Sequence, residues 1–133
     1  MGTGEVRVTT YLIAESDPAV RTVLAEYLRG WDSRNHPYVV ECLPRQVPDL
    51  LDRLRPKAVA IDITFAARSE LEALARMCER TGGTRLVLMC SEESNDASRT
   101  DLGTNLVLLQ KPFGLRAFRQ AVGLAHSDTS SNS

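Results

Sequence analysis

The sequence has no apolar run long enough to cross a bilayer, and its first ten residues, MGTGEVRVTT, lack the apolar stretch of a secretion signal. A membrane-spanning or exported chain is therefore not expected, and a cytoplasmic location is the default. Cysteine is scarce. Cys42, Cys78 and Cys90 are an odd number, with no CxxC pair and no Cys/His spacing suited to zinc. That argues against a disulfide framework and fits a reducing compartment. An excess of charge of one sign is also missing. Sixteen basic and seventeen acidic residues leave a net charge of −1, so neither nucleic acid nor a membrane surface is the expected partner. Lysine is rarest among the charges: the arginines are scattered, and only Lys57 and Lys111 are lysine.

What is present is the material of one compact domain. The chain has 133 residues, 43% apolar and 25% charged, which excludes a disordered segment. A chain of this size buries roughly 68% of its unfolded surface, enough for a core without staples.

Short apolar runs alternate with helical patterns. Tyr11 to Ala14 is the first strand, and Glu15-Ser16-Asp17-Pro18 breaks it abruptly. Asp17 then reads as a helix N-cap and Pro18 as the first helical residue, with Val20, Val23, Leu24, Tyr27 and Leu28 at helical spacing. Gly30 is expected to end that helix. Tyr38 to Leu43 is the second strand, and Val47 to Leu54 a short helix stopped by Pro56. Ala58 to Ile61 is the third strand and runs straight into Asp62. Leu71, Leu74, Ala75 and Cys78 mark the third helix, terminated by Gly82-Gly83. Leu86 to Met89 is the fourth strand, Ser94 to Asp101 a poor helix or a loop, and Asn105 to Leu109 the fifth strand, ended by Lys111-Pro112. Phe118, Ala121, Val122 and Ala125 give the last helix one apolar face. Continuous apolar strands between helices predict an α/β fold: a doubly wound, five-stranded parallel sheet, (βα)5, covered on both faces.

In such a sheet, ligands bind beyond the carboxyl ends of the strands. The residues there are Glu15 and Ser16, then Asp62, then Cys90 and Ser91, then Lys111. Two carboxylates, two small nucleophile-like side chains and one of two lysines meeting at one edge suggest a metal or phosphoryl site. No glycine-rich loop follows the first strand, which disfavours a nucleotide-binding, flavodoxin-like enzyme.

These residues carry a resemblance. Leu12-Ile13-Ala14-Glu15-Ser16-Asp17-Pro18 with Arg21, then Ile61-Asp62-Ile63, then Lys111-Pro112-Phe113, in that order and spacing, resemble the receiver domains of two-component response regulators over about residues 9 to 125. The resemblance implies a flavodoxin-like sheet of order 2-1-3-4-5, one receiver-like domain over 1–126, and a tail or linker start over 127–133. It implies a signalling protein rather than an enzyme. Asp62 would be the phosphoacceptor, paired with Lys111, and a histidine kinase or phosphotransfer protein the donor. A downstream output protein or domain, and a second copy of the chain, are the other implied partners. Mg²⁺ would be held by Asp62, Glu15 and the backbone carbonyl of Thr64. Cys90, Ser91 and Leu108 occupy the positions that switch with phosphorylation.

The sequence departs from that pattern. Ser16 stands where the acid that most directly holds the metal belongs, Cys90 where a hydroxyl belongs, and Leu108 where an aromatic is common. Ala66 replaces a usual proline, and Glu70 lies where glycine is common. Losing one carboxylate beside the ion is worth ten- to a hundred-fold in Mg²⁺ affinity, about 1.4–2.8 kcal/mol, so the metal site is expected to be weak or absent. Two functions stay open: an atypical phosphorylatable receiver, and a phosphorylation-independent pseudo-receiver whose Glu15 and Asp62 pair with Lys111 without a metal. Simpler readings accompany them. Asp17-Pro18 starts a helix whatever the chemistry, Cys42, Cys78 and Cys90 are core thiols, and His36 and His126 are solvated.

Overall fold

Three inner strands, buried on both faces, organise the molecule. The computed structural model describes residues 8–31, 34, 36–64, 66–91 and 105–124. Its strands are β1 (Thr10–Ala14), β2 (Tyr38–Cys42), β3 (Ala58–Asp62), β4 (Arg85–Cys90) and β5 (Leu106–Gln110). They form one parallel sheet in the order β2-β1-β3-β4-β5, as expected. The inner strands β1, β3 and β4 are buried along almost their whole length, whereas β2 and β5, at the edges, are only half covered. That explains why the inner strands read as unbroken apolar runs.

Alternate side chains feed two separate cores. Leu12, Val59, Ile61, Leu86, Leu88 and Cys90 face α2 (Val47–Leu54) and α3 (Arg68–Arg80). Tyr11, Ile13, Ala60, Val87 and Met89 face α1 (Pro18–Trp31) and the last helix, α4 (Leu115–Arg119). Phe118 of α4 is fully buried and stacks on Phe113, with ring centroids 6.1 Å apart. All three cysteines are buried, and burial pushes the Cys42 thiol up to about 11 and the Cys78 thiol to about 12. A thiol-specific chromogenic reagent should therefore label none of the three in the folded protein and all three in 6 M guanidinium; rapid labelling of any one at pH 8 would contradict this packing.

Helix ends follow their local signals with two corrections. Asp17 caps α1 as expected: its Oδ1 accepts the Ala19 amide at 2.9 Å, and Pro18 opens the helix. The helix does not stop at Gly30 but runs on to Trp31. A glycine inside a helix costs only about 1 kcal/mol, and the extra residue places the Trp31 ring under the Arg119 guanidinium, 5.5 Å from the ring centroid. Helix α2 ends with Arg55 in the left-handed region (φ 45°), directly before Pro56. The last helix is the second correction. Only Leu115–Arg119 is α-helical; Gln120–Leu124 continues as a wider π turn broken by Gly123 at φ 121°. The Arg85 guanidinium donates to the Ala121 carbonyl at 2.7 Å and closes that end. Phe118, Ala121 and Val122 are buried as expected, while Ala125, His126 and the Ser94–Asp101 segment lie outside the described residues. Among the described residues, no helix is long and apolar enough to cross a membrane.

Candidate functional site

The register aligns the strand ends. Ala14 lies beside Ile61, Asp62 beside Met89, and Cys90 beside Gln110, so the residues after each strand gather on one rim. Glu15 follows β1 and is 1% exposed. A buried carboxylate needs donors, and it has them on both oxygens. Lys111 Nζ donates to Oε1 at 3.0 Å, and the Asp17 amide donates to Oε2 at 3.2 Å.

Asp62 ends β3, with its side chain 8% exposed. Its Oδ1 accepts the Thr64 hydroxyl at 2.7 Å and the Thr64 amide at 3.2 Å, and it lies 3.6 Å from Lys111 Nζ. No described residue donates to its Oδ2. Lys111 follows β5; its own amide donates to the Cys90 carbonyl at 2.7 Å, and the Lys111–Pro112 bond is cis. Partial burial by itself would lower the Lys111 pKa. The hydrogen bond and charge of Glu15, and then of Asp62, outweigh it and hold the ammonium above its ordinary 10.5. Two carboxylates thus share one ammonium.

The three residues expected to carry the chemistry, Glu15, Asp62 and Lys111, therefore do meet. Thr64, expected to offer its carbonyl, touches Asp62 through its amide and hydroxyl, a contact that spacing alone did not reveal. Cys90 points into the core shared with Leu86 and Leu88 and is fully buried, its Sγ 3.9 Å from the Leu109 carbonyl oxygen. Leu108 packs partly buried against that same core, and Ser91 is half-buried at the end of β4. Ser16 is exposed at the rim and, with Asp62, lines the mouth of a groove of about 580 Å³.

One supporting residue has a further contact. Arg21, six residues beyond Glu15, donates to the Glu15 carbonyl at 2.9 Å and lies 3.7 Å from Glu41 on edge strand β2. Glu41 is also 3.6 Å from Arg29 and accepts the Thr22 hydroxyl at 3.3 Å. The backbone that carries Glu15 is thereby tied to both α1 and β2. Glu70 acts structurally, since its Oε1 accepts the Ala67 amide at 2.9 Å and caps α3.

A resident Mg²⁺ fits this donor set poorly. The ion favours an octahedral oxygen shell with one or two carboxylates free to face it. Glu15 is buried with both oxygens engaged, Asp62 has one oxygen engaged, and Ser16 contributes no charge. Among the described residues, no three His, Cys, Asp or Glu side chains cluster tightly enough to hold a metal ion.

A five-stranded parallel sheet of this order, with an aspartate at the end of β3 and a lysine before a cis proline after β5, has the fold of the receiver domains of response regulators. By sequence, the chain matches no protein family and no curated protein. By structure, it is similar to the receiver domain of AraT, a response regulator from Geobacillus stearothermophilus, with a TM-score of 0.71 and 18% identity over 95% of this chain and 98% of that one. It is also similar to a response regulator receiver protein from Sinorhizobium medicae, with a TM-score of 0.67 and 16% identity over 89% and 94% of the two chains. A Burkholderia pseudomallei response regulator with a phosphorylated aspartic acid, calcium ion and citrate gives a TM-score of 0.66 and 16% identity, over 93% of this chain and 72% of that one.

Proposed function

We propose that this chain is a signal-transduction receiver of the response regulator type that works as a protein-interaction module, its pocket held by an internal ion pair rather than by a Mg²⁺-dependent phosphoryl group. One observation carries the reading: Lys111 Nζ bridges Glu15 and Asp62 at 3.0 and 3.6 Å, with Glu15 sealed from solvent. The ammonium takes the neutralising place that a divalent ion would otherwise fill, and Ser16 withholds the charge that would attract one. Cys90 and Leu108 support the same conclusion. A buried thiol cannot offer a hydroxyl to a phosphoryl oxygen, and an aliphatic side chain packed on the core has no aromatic ring to reposition. A downstream output protein is then the partner, reached by surface contact in the cytoplasm.

The test is intact mass after incubation with Mg²⁺ and a small acyl phosphate donor. Little or no added phosphate is expected. Stoichiometric, acid-labile phosphate on Asp62 would overturn the reading. It would establish instead the phosphoacceptor function, with a histidine kinase or phosphotransfer protein as donor. One feature favours that second reading: Asp62 Oδ2 takes no hydrogen bond from any described residue, which leaves its lone pairs available for attack.

A further inference from the structure

The ion-pair cluster does not use the groove that opens on it. Leu43, Pro44 and Pro48 form one wall, and Ala73, Leu74 and Met77 of α3 the other. Its volume, about 580 Å³, is that of sites which enclose an organic group on mostly apolar surface. Arg45 on the first wall and Glu70 on the second carry opposite charges, and both are exposed, so they cancel and water screens them. Asp62 stands apart at the mouth, which Ser16 also lines. Its side chain is largely buried, its Oδ1 is satisfied by Thr64, and its Oδ2 has no donor among the described residues. The nearest cation, Lys111, lies closer to Glu15, so the trio keeps a net charge of −1 beside apolar walls.

A carboxylate oxygen without a donor in a low-dielectric setting attracts a cationic donor more strongly than it would in water. Lysine and arginine side chains have the complementary form: an apolar stem that lies on hydrocarbon and a charged head at its tip. We propose that this groove docks a partner segment that inserts a lysine or arginine side chain, its stem against Leu74 and Met77 and its head on Asp62 Oδ2. An anionic side chain would meet Asp62 as a like charge, and a neutral apolar one would leave Oδ2 unpaired. The inference names the partner chemistry for the interaction module proposed above, and rests on that reading only in taking Asp62 as unmodified.

The experiment uses the unmodified chain with ¹³C-labelled methionine methyls and no phosphoryl donor. Met77 reports on the groove. Hexylammonium, hexanol and hexanoate stand for a cationic, a neutral and an anionic side chain. Hexylammonium should move the Met77 methyl saturably and bind at least about five-fold more tightly than hexanol, with hexanoate weakest. Asp62→Asn should erase the preference for the ammonium, and Ala73→Trp, which fills the groove while keeping Asp62, should weaken all three. Equal binding of the three probes, a preference for hexanoate, no saturable Met77 shift, or a preference that survives Asp62→Asn would each overturn the proposal. Phosphate found on Asp62 in the mass experiment would sink the interaction-module reading and leave this titration's outcome unaffected.

Discussion

Lys111→Met should lower the unfolding free energy by about 2–3 kcal/mol, a large loss for a residue whose side chain is 28% exposed. The cause is not the lysine itself but what it leaves behind. Glu15 is 1% exposed, and without the ammonium its charge keeps only the Asp17 amide. Breaking a fully buried pair from one side costs about 3–5 kcal/mol; the solvent that reaches Lys111 reduces that here. Glu15→Gln in the same background should recover at least half of the loss, because an amide needs no counter-charge, and a double-mutant cycle should report coupling above about 1 kcal/mol. The sign with pH is fixed. The folded Lys111 holds its proton above the ordinary 10.5, so its contribution is fully present below that value and is lost as pH rises through the folded value. The stability gap between wild type and Lys111→Met, from urea unfolding, should thus be constant up to about pH 10 and shrink beyond it. The buried thiols of Cys42 and Cys78 also titrate in the alkaline range, but they are common to both proteins and cancel in the difference. A gap below about 0.5 kcal/mol at neutral pH would mean that the pair does not hold the pocket.

Much of this pocket could be read from the chain because its parts follow local rules. Asp17-Pro18 is a cap wherever it occurs. The inner strands announce themselves as apolar runs, and topology then dictates that whatever follows them shares a rim; hence Glu15, Asp62 and Lys111 could be named before their distances were known. What the chain concealed depends on packing between elements. Gly30 carries a stop signal, yet the Trp31–Arg119 contact supplied by α4 accompanies one more helical residue. Cys90 was placed at the right strand end, but the side of the sheet it faces is decided by alternation within β4, where Leu86, Leu88 and Cys90 share the α2/α3 side. The burial of Glu15 has no local signature at all; it follows from Lys111, 96 residues away, arriving at 3.0 Å. Thr64 is expected to offer its backbone carbonyl, and nothing in the sequence says that its amide and hydroxyl also reach Asp62. Glu70 read as a departure from a family pattern, and proves to be a helix cap that any sequence could use.

Ser16→Asp should raise Mg²⁺ affinity ten- to a hundred-fold, equivalent to about 1.4–2.8 kcal/mol. The position suits a new ligand because Ser16 is exposed and lines the same mouth as Asp62. A carboxylate there would be untied, unlike that of Glu15, whose two oxygens are committed to Lys111 and the Asp17 amide. Two effects of opposite sign make the test selective. Without the ion, a fourth negative charge beside Glu15, Asp17 and Asp62 should lower stability, by up to about 1 kcal/mol at this partly solvated rim. With the ion, binding to the folded state alone should restore it, and the thermal midpoint should climb with Mg²⁺ concentration. The wild-type midpoint should barely respond, and Ser16→Asn, which adds a polar group without charge, should behave like wild type. Calorimetric titration gives the affinity directly. If Ser16→Asp shows the loss in stability without the Mg²⁺-dependent gain, missing charge is not what keeps the ion out. The bridge from Lys111 to Glu15 and Asp62 would then be the barrier itself, and metal binding would require that bridge to open first.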